Sequence, residues 1–388
     1  MSVWNDLVGQ PEAVDLFQYA AASAKPGATG PNAMTHAWLI TGPPGSGRSN
    51  MAYAFTATLL CKNDGCGDCA DCRQVVARTH PDLSSLVTER VIISIDEVRS
   101  LVQNAYYSPS TSRYRVIIIE DADRMAERTS NVLLKALEEP PERTVWILCA
   151  PSEADLIPTI RSRVRSVRLR VPDAGLVADL LVQRQGVEAE TAERAARHAQ
   201  SHIGMAARLA LSSDAAERRA ETVDLVLGMR GVHDAVLAAS RLLEIATDDA
   251  KALTEERDAS ELEQARASLG LAVDDPVPAN MRSYFKNIEE QQKRRATRSL
   301  RDGIDRILVD LMSVFRDIVR LQLGAEGALI NRENEAQLRD VAARRSPDQT
   351  LAAIRAIEQG RERLASNVAP ALVLEAVLIH AVRKPVAA

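Results

Sequence analysis

Aromatic residues are scarce in this chain: three Trp, six Tyr and four Phe make up 3% of 388 residues. So few rings exclude a surface that grips single-stranded nucleic acid by base stacking. Blocks of one charge are absent too, because 48 Lys and Arg are interspersed with 53 Asp and Glu, for a net charge of −5. That excludes a protein that holds nucleic acid mainly through a basic face. No apolar run approaches the ~20 residues that span a bilayer, and Met1-Ser2-Val3-Trp4-Asn5-Asp6 lacks a basic-then-apolar leader pattern. The expectation is a cytoplasmic protein without a membrane partner. Cysteine is sparse as well, but four of the five cysteines crowd between Cys61 and Cys72. In a reducing compartment such a cluster reads as a metal site rather than a disulfide framework.

What is present is length and apolar content. A chain of 388 residues exceeds what one core usually organises, so two or three domains are expected, and 46% hydrophobic residues rich in Ala, Leu and Val favour an α/β or helical protein. Residues 37–41 form an apolar strand that enters a glycine-rich loop, and an Ala-rich helical segment runs from Asn50 to Leu60. Further buried-strand candidates are Val116-Ile117-Ile118-Ile119 and Val145-Trp146-Ile147-Leu148, with a helical stretch over 128–139 between them. This alternation implies an α/β fold with a parallel sheet covered on both faces. After about Pro172 the strand signals fade into helices. Residues 248–275 carry nine acidic and three basic residues before Pro276 and Pro278, which reads as an exposed helix or a mobile insertion. From Tyr284 a helix resumes, with Ile304, Ile307, Leu308, Leu311, Phe315 and Ile318 on one stripe.

The loop Gly42-Pro43-Pro44-Gly45-Ser46-Gly47-Arg48-Ser49 fits G-x-x-x-x-G-K-[ST] except that Arg48 replaces the lysine. Gly42, Gly45 and Gly47 let backbone N–H groups turn toward a phosphate, and Ser49 has the hydroxyl that ligates Mg²⁺. Arginine keeps the charge, but its planar fork is not the compact donor that lysine presents to phosphates. Nucleotide (ATP or ADP with Mg²⁺) therefore stays open as a ligand, while hydrolysis is doubtful. The competing reading is a glycine-rich turn with no ligand. Glu120-Asp121 end the second strand where ATPases of this kind carry Asp-Glu, one acid for the metal shell and one for water. The reversed order shifts each carboxylate by about one methylene, enough to weaken a geometry-dependent step. Two acids that merely open a solvated loop are the alternative.

Cys61, Cys66, Cys69 and Cys72 follow the spacing x4, x2, x2, with Gly65 and Gly67 for tight turns. Four thiolates suit a tetrahedral structural zinc site with no position open for substrate. An iron–sulfur cluster or free thiols are the alternatives. Cys149, on a strand, reads as a small buried residue.

A phosphate loop, a helix and then a four-cysteine module resemble the ATPase-type domain of bacterial clamp-loader subunits, the gamma/tau and delta-prime families of the AAA+ class. Further segments carry the likeness: His36-Ala37-Trp38-Leu39-Ile40-Thr41, His80-Pro81-Asp82-Leu83, Ile95-Asp96-Glu97-Val98-Arg99, and above all Asn131-Val132-Leu133-Leu134-Lys135-Ala136-Leu137-Glu138-Glu139-Pro140-Pro141. Ser162-Arg163-Val164 stands where the family has Ser-Arg-Cys, which implies that Arg163 is an arginine finger reaching a neighbour's ATP. Leu7-Val8-Gly9-Gln10 resembles the element beside the adenine, with Leu7 and Val8 in contact with it. Gly204 to Leu211 resembles the lid helix, and Arg208 would be its nucleotide sensor. Asn367 to Glu375 is similar to the last collar helix.

The resemblance implies an AAA+ P-loop domain with its zinc module over 1–171, a helical lid domain over 172–220 and an all-α collar for oligomerisation over 221–388. It also implies a place in a ring with gamma/tau and delta subunits that loads the sliding clamp on primed DNA without reading sequence, at the nucleoid-associated replisome. Arg48, the Glu120-Asp121 order and the lack of a long extension after the collar point to the delta-prime family rather than to a motor. An ATP-hydrolysing gamma/tau-type subunit or another AAA+ ATPase is the first alternative, and a zinc-stabilised adaptor outside any loader is the second.

Overall fold

Val, Ile, Leu and Trp fill the central strands of the first half because these strands are buried on both faces. The structure, a computed structural model, describes residues 2–5, 7–25, 27–29, 31–269, 271, 276–278 and 281–382. The chain divides into two compact units, Met1–Leu211 and Ser212–Ala388.

In the first unit, β1 (Ala37–Thr41), β2 (Leu83–Leu86), β3 (Arg115–Ile119), β4 (Thr144–Ala150) and β5 (Arg165–Arg168) form one sheet in the order β2-β3-β4-β1-β5. Every pairing is parallel, with Ala37 opposite Trp146 and Val116 opposite Val145. The strand period of two divides the side chains cleanly. Trp38, Ile40, Val116, Ile118, Val145 and Ile147 face α1 (Pro11–Ser23) and α2 (Arg48–Leu60). Leu39, Ile117, Ile119, Trp146 and Leu148 face α4 (Ile95–Ala105) and α5 (Glu127–Glu138). A short α3 (Ala70–Val76) follows α2, α6 (Pro158–Arg161) precedes β5, and α7 (Ala174–Gln185), α8 (Ala189–His198) and α9 (Ile203–Leu211) complete the unit.

Sequence patterning did not single out β5, because only Val167 of its four residues is buried. It is an edge strand whose arginines face outward, a composition that protects a sheet edge from further pairing. The loop before β3 is anchored by the buried Asp82 carboxylate, which accepts from the backbone N–H groups of Ser110 at 2.6 Å, Thr111 at 2.8 Å and Ser112 at 2.7 Å. Burial alone would push this carboxyl up, but the N–H groups of Ser110 and Thr111, the Ser110 hydroxyl and the N–H of Ser112 hold it well below the usual carboxylate range.

The second unit is helical: α10 (Ser213–Gly228), α11 (Val232–Ser268), α12 (Arg282–Leu323), α13 (Glu335–Arg344), α14 (Pro347–Ala365) and α15 (Pro370–Val382). The boundary expected at residue 220 falls inside α10, whose buried Val223, Val226 and Leu227 join one core with α11 and α12. All of α10 therefore belongs to the second unit. The acidic stretch from 248 is not a separate insertion over its described part. It continues α11, where Arg295 of α12 pairs with Asp258 and, at 3.1 Å, with Glu261, above a small core of Ala265, Phe285 and Ile288. Residues 270 and 272–275 of that stretch lie outside the described residues. Among the described residues no helix is long and apolar enough to cross a membrane.

The few aromatics are concentrated where they fill most volume. Phe17 stacks at 5.0 Å from Trp38 and 4.5 Å from Phe55, and all three are fully buried. Phe17→Ala should therefore destabilise the first unit by about 3–5 kcal/mol. Denaturant unfolding followed by tryptophan fluorescence should show an earlier transition for that unit, while a later or separate helical transition should stay in place.

Candidate functional site

Two features meet at the carboxyl ends of β1 and β3, and a third lies at the far end of α2. The first is the loop 42–47, which leads into α2. Gly45 and Gly47 have φ of 81° and 90°, a left-handed conformation that glycine adopts without strain, and Gly47 caps α2. The loop is turned tightly, with Gly42 N–H donating to Pro151 O at 3.2 Å and Ser46 N–H to Pro43 O at 3.1 Å. A phosphate would need open space over this cradle. Instead the ring of His202 lies on Gly45: a Cβ at that position would meet the ring Cγ at 2.2 Å. Ile203 N–H donates to Gly45 O at 3.4 Å, and His202 Nδ1 accepts from Met205 N–H at 3.2 Å, so the segment before α9 is seated on the loop. Arg48 bends back, its Nη1 donating to Gly42 O at 2.9 Å.

The second feature is the acid pair. Glu120 Oε2 accepts from Ser49 Oγ at 2.5 Å and Oε1 accepts from Tyr53 Oη at 2.9 Å. Arg78 Nη2 lies 3.2 Å from Oε1, with its guanidinium 4.9 Å from the Tyr53 ring centre. Burial and then the adjacent Glu120 charge push the Tyr53 phenol well up, so it remains a donor. Asp121 turns through the left-handed region at φ 52° and its carboxylate stands 3.7 Å from Arg124. Among the described residues one buried carboxylate oxygen of Asp123 has no hydrogen-bond partner, and burial followed by the Asp121 charge pushes its carboxyl up. A magnesium nucleotide does not fit these side chains as they stand: a guanidinium holds the acid and an imidazole covers the cradle.

The third feature is the cysteine cluster. Cys61 caps the end of α2, and Cys69 and Cys72 sit on the first turn of α3. Cys61 Sγ is 3.9 Å from Cys66 Sγ and 3.5 Å from Cys69 Sγ, and all four sulfurs lie within 4.8 Å of one another. Four sulfurs each about 2.3 Å from one tetrahedral ion are separated by about 3.8 Å, so small side-chain adjustments would let these residues hold a metal ion. Backbone N–H groups of Asn63, Gly67 and Cys72 point at the Cys61, Cys72 and Cys69 sulfurs, respectively. The N–H groups of Asp68 and then Cys69 lower the Cys66 thiol to about 7, whereas burial pushes Cys72 up. Cys149 is buried on β4 and apart from this cluster.

Arg163 lies in the turn between α6 and β5. It pairs with Glu138 of α5 at 2.6 Å and donates to Thr159 O at 2.7 Å and Ser162 Oγ at 3.0 Å. Arg161 closes α6 and Arg165 opens β5, where it donates to Ala33 O at 2.8 Å and stacks over Trp38, so the three arginines share no face. Leu7 is buried within 3.9 Å of where a Gly47 Cβ would stand, and Val8 is half-buried. Gln10 joins this segment to the stretch that follows β5, donating to Arg170 O at 2.7 Å and accepting from Arg170 N–H at 3.0 Å. Arg208 is half-buried on α9. Sequence reasoning missed Tyr53, Arg78 and His202. The i,i+4 spacing of Ser49 and Tyr53 on α2 was a usable signal. For Arg78 and His202 there was none, since each reaches the site by tertiary packing.

Comparison with known proteins finds that residues 11–173 match the family described as DNA polymerase III, delta subunit, and residues 298–382 match DNA polymerase III, delta subunit, C terminal. The DNA polymerase III subunit delta' of Pseudomonas aeruginosa is 35% identical over 164 residues, 41% of this chain and 49% of that protein. The subunit delta' of Bacillus subtilis is 23% identical over 340 residues, 86% of this chain and 87% of that protein. The subunit gamma/tau of Mycobacterium tuberculosis is 31% identical over 143 residues, 36% of this chain and 25% of that protein. The chain thus spans about half the length of the Pseudomonas relative and nearly all of the Bacillus one.

One metal ion per chain is expected from elemental analysis of the purified protein. Cys69→Ala should lose the ion and lower the unfolding midpoint of the first unit, since structural metal binding contributes folding free energy directly. The ligands bind as thiolates, so affinity measured by chelator competition should fall as pH is lowered.

Proposed function

We propose that this chain, which matches two DNA polymerase III delta-subunit regions and is similar to subunit delta' relatives, is a delta-prime-like subunit of a bacterial sliding-clamp loader. The observation that carries the reading is the presence of both delta-subunit regions on one chain, 11–173 and 298–382, in that order. The partners on this reading are gamma/tau and delta subunits, the clamp, and primed DNA held through backbone phosphates by the assembled ring.

Within such a ring the chain is a non-motor member. Its phosphate loop is covered by His202, its acid is held by Arg78, and Arg48 has turned onto the loop's own carbonyl. Zinc in the four-cysteine cluster braces the domain. The part of the chain with a chemical role elsewhere is Arg163, at the surface and held by an exchangeable pair with Glu138. At a subunit boundary this guanidinium leaves Glu138 for the transferring phosphoryl group of a neighbour, where an arginine in trans is worth about 10³–10⁵ in rate when fully engaged. The motor alternative draws on one observation, the retained Ser49–Glu120 contact, and turnover by the isolated chain distinguishes it.

The isolated chain should bind ATP or ADP weakly or not at all and show no significant hydrolysis, and Arg48→Lys should leave it so, because His202 and Arg78 remain. Brisk turnover by either protein would overturn the non-motor reading. In size-exclusion chromatography the chain should co-migrate with gamma/tau and delta. Arg163→Ala should preserve metal content and assembly yet lower the clamp- and DNA-stimulated ATPase of the loader, by at most the share of one motor site. Arg161→Ala should do little, and equal effects from the two changes would remove the finger role.

A further inference from the structure

Helices α2 and α3 pack together and are joined at both ends. At one end the four cysteines bring the C-cap of α2 to the first turn of α3. At the other end α3 stops in a turn closed by Arg78 N–H to Val75 O at 3.0 Å and Thr79 N–H to Gln74 O at 2.8 Å, with Arg78 at φ 60°. That turn aims the Arg78 side chain back across α2, onto the Tyr53 ring and Glu120 Oε1. Ser49 and Tyr53, one helical turn apart on α2, donate to the two oxygens of the same carboxylate. The circuit runs from metal cluster to α3 to Arg78 to Glu120 and returns along α2.

We infer that Arg78 is a built-in substitute for the divalent cation at the Ser49–Glu120 pair, and that the metal in the cysteine cluster keeps it there. The inference rests on the reading of 42–49 as a phosphate loop given above. A carboxylate that accepts from a serine on the first turn of the loop's helix stands where the pair would share a cation, and here the positive charge comes from the chain itself. An exposed ion pair alone would count for little. Arg78 is half-exposed, but Glu120 is only 11% exposed and Asp121 and Asp123 follow it, so removal of the guanidinium leaves three clustered carboxylates with one positive charge fewer. Such a cluster attracts a hard divalent ion, which oxygen ligands suit. The inference also couples two sites. If the cluster metal positions Arg78, then the grip of Arg78 on Glu120 strengthens metal binding in the cluster by the same factor.

The test uses the full chain with its cluster metal in place and Mn²⁺ alone as the probe, read by electron paramagnetic resonance. Wild type should bind Mn²⁺ weakly. Arg78→Met, which keeps the apolar stem, should bind about one ion per chain at least roughly tenfold more tightly, Arg78→Lys should stay near wild type, and Arg78→Met with Glu120→Gln should lose the gain. In chelator competition, Arg78→Met and Glu120→Gln should each weaken the cluster's hold on its metal by a similar factor, within the range of about 5–150 typical of coupled sites. A flat Mn²⁺ titration for Arg78→Met overturns the substitute role. Unchanged cluster affinity in Glu120→Gln, a measurement that stands even if Arg78→Met fails to fold, overturns the coupling. Neither readout involves nucleotide or another subunit, so failure of loader assembly and failure of this inference are separate results.

Discussion

A carboxylate nearly buried at the carboxyl end of a central strand must be compensated, and in this protein the compensation of Glu120 organises the surrounding structure. Burying an unpaired charge costs several kcal/mol, so β3 cannot end on Glu120 without donors or a cation nearby. The sheet order sets where those come from. With β1 two strands from β3, the loop after β1 and the acid after β3 open on the same edge, the edge at which open parallel sheets receive ligands. Ser49 and Tyr53 arrive from α2, and the charge arrives from Arg78. The same edge that binds a metal nucleotide in an active P-loop protein is here satisfied from within.

The cysteine module holds α3, and the turn after α3 carries Arg78. Helix α3 has only seven residues and would be marginal alone. Its start is fixed by Cys69 and Cys72, its position against the chain by Cys61, and Gly65 lets the module close on Thr58 and Val3, where a Cβ would meet atoms at 2.7 Å. After the module, His80 Nδ1 accepts from Asp82 N–H at 3.0 Å, and Asp82 in turn holds the 110–112 loop. One chain of local contacts thus runs from the cluster to the start of β3, at the opposite end of the strand from Glu120.

The second unit is built on a different principle. Its helices bury a polar network in an otherwise apolar core: Arg219 donates to Asp310 at 3.2 Å and Asn331 at 2.8 Å, and Asp317 accepts from the Ile330 and Asn331 N–H groups at 3.0 and 2.8 Å. Each of these groups is costly unless paired, so the network holds the turn at 330–331 in one register against α10 and α12. Close approach of α14 and α15 depends on Gly360, where a Cβ would stand 2.5 Å from Val377.

Much of this was legible in the residues themselves. Apolar runs of branched side chains fixed β1, β3 and β4 as buried parallel strands, because nothing else accommodates four or five such residues bounded by turns. The glycine spacing marked the phosphate-type loop, and four cysteines in twelve positions marked a metal-binding module, since both are local patterns whose chemistry is carried by neighbours in sequence. The strand β5 was not legible, because an edge strand with one buried residue has no period to read. Nor did the acidic charge of 248–269 disclose a helix paired with α12, because a solvated face and a paired one have the same composition. The state of the site was decided only by tertiary structure. Arg48 and the Glu120-Asp121 order could be read in the chain, but the groups packed on the acid and on the loop, Arg78 and His202, stand 42 and 82 positions from Glu120. Sequence determines which charges and rings a protein owns, and the packing of α3 and the segment before α9 against α2 determines which of them reach one another.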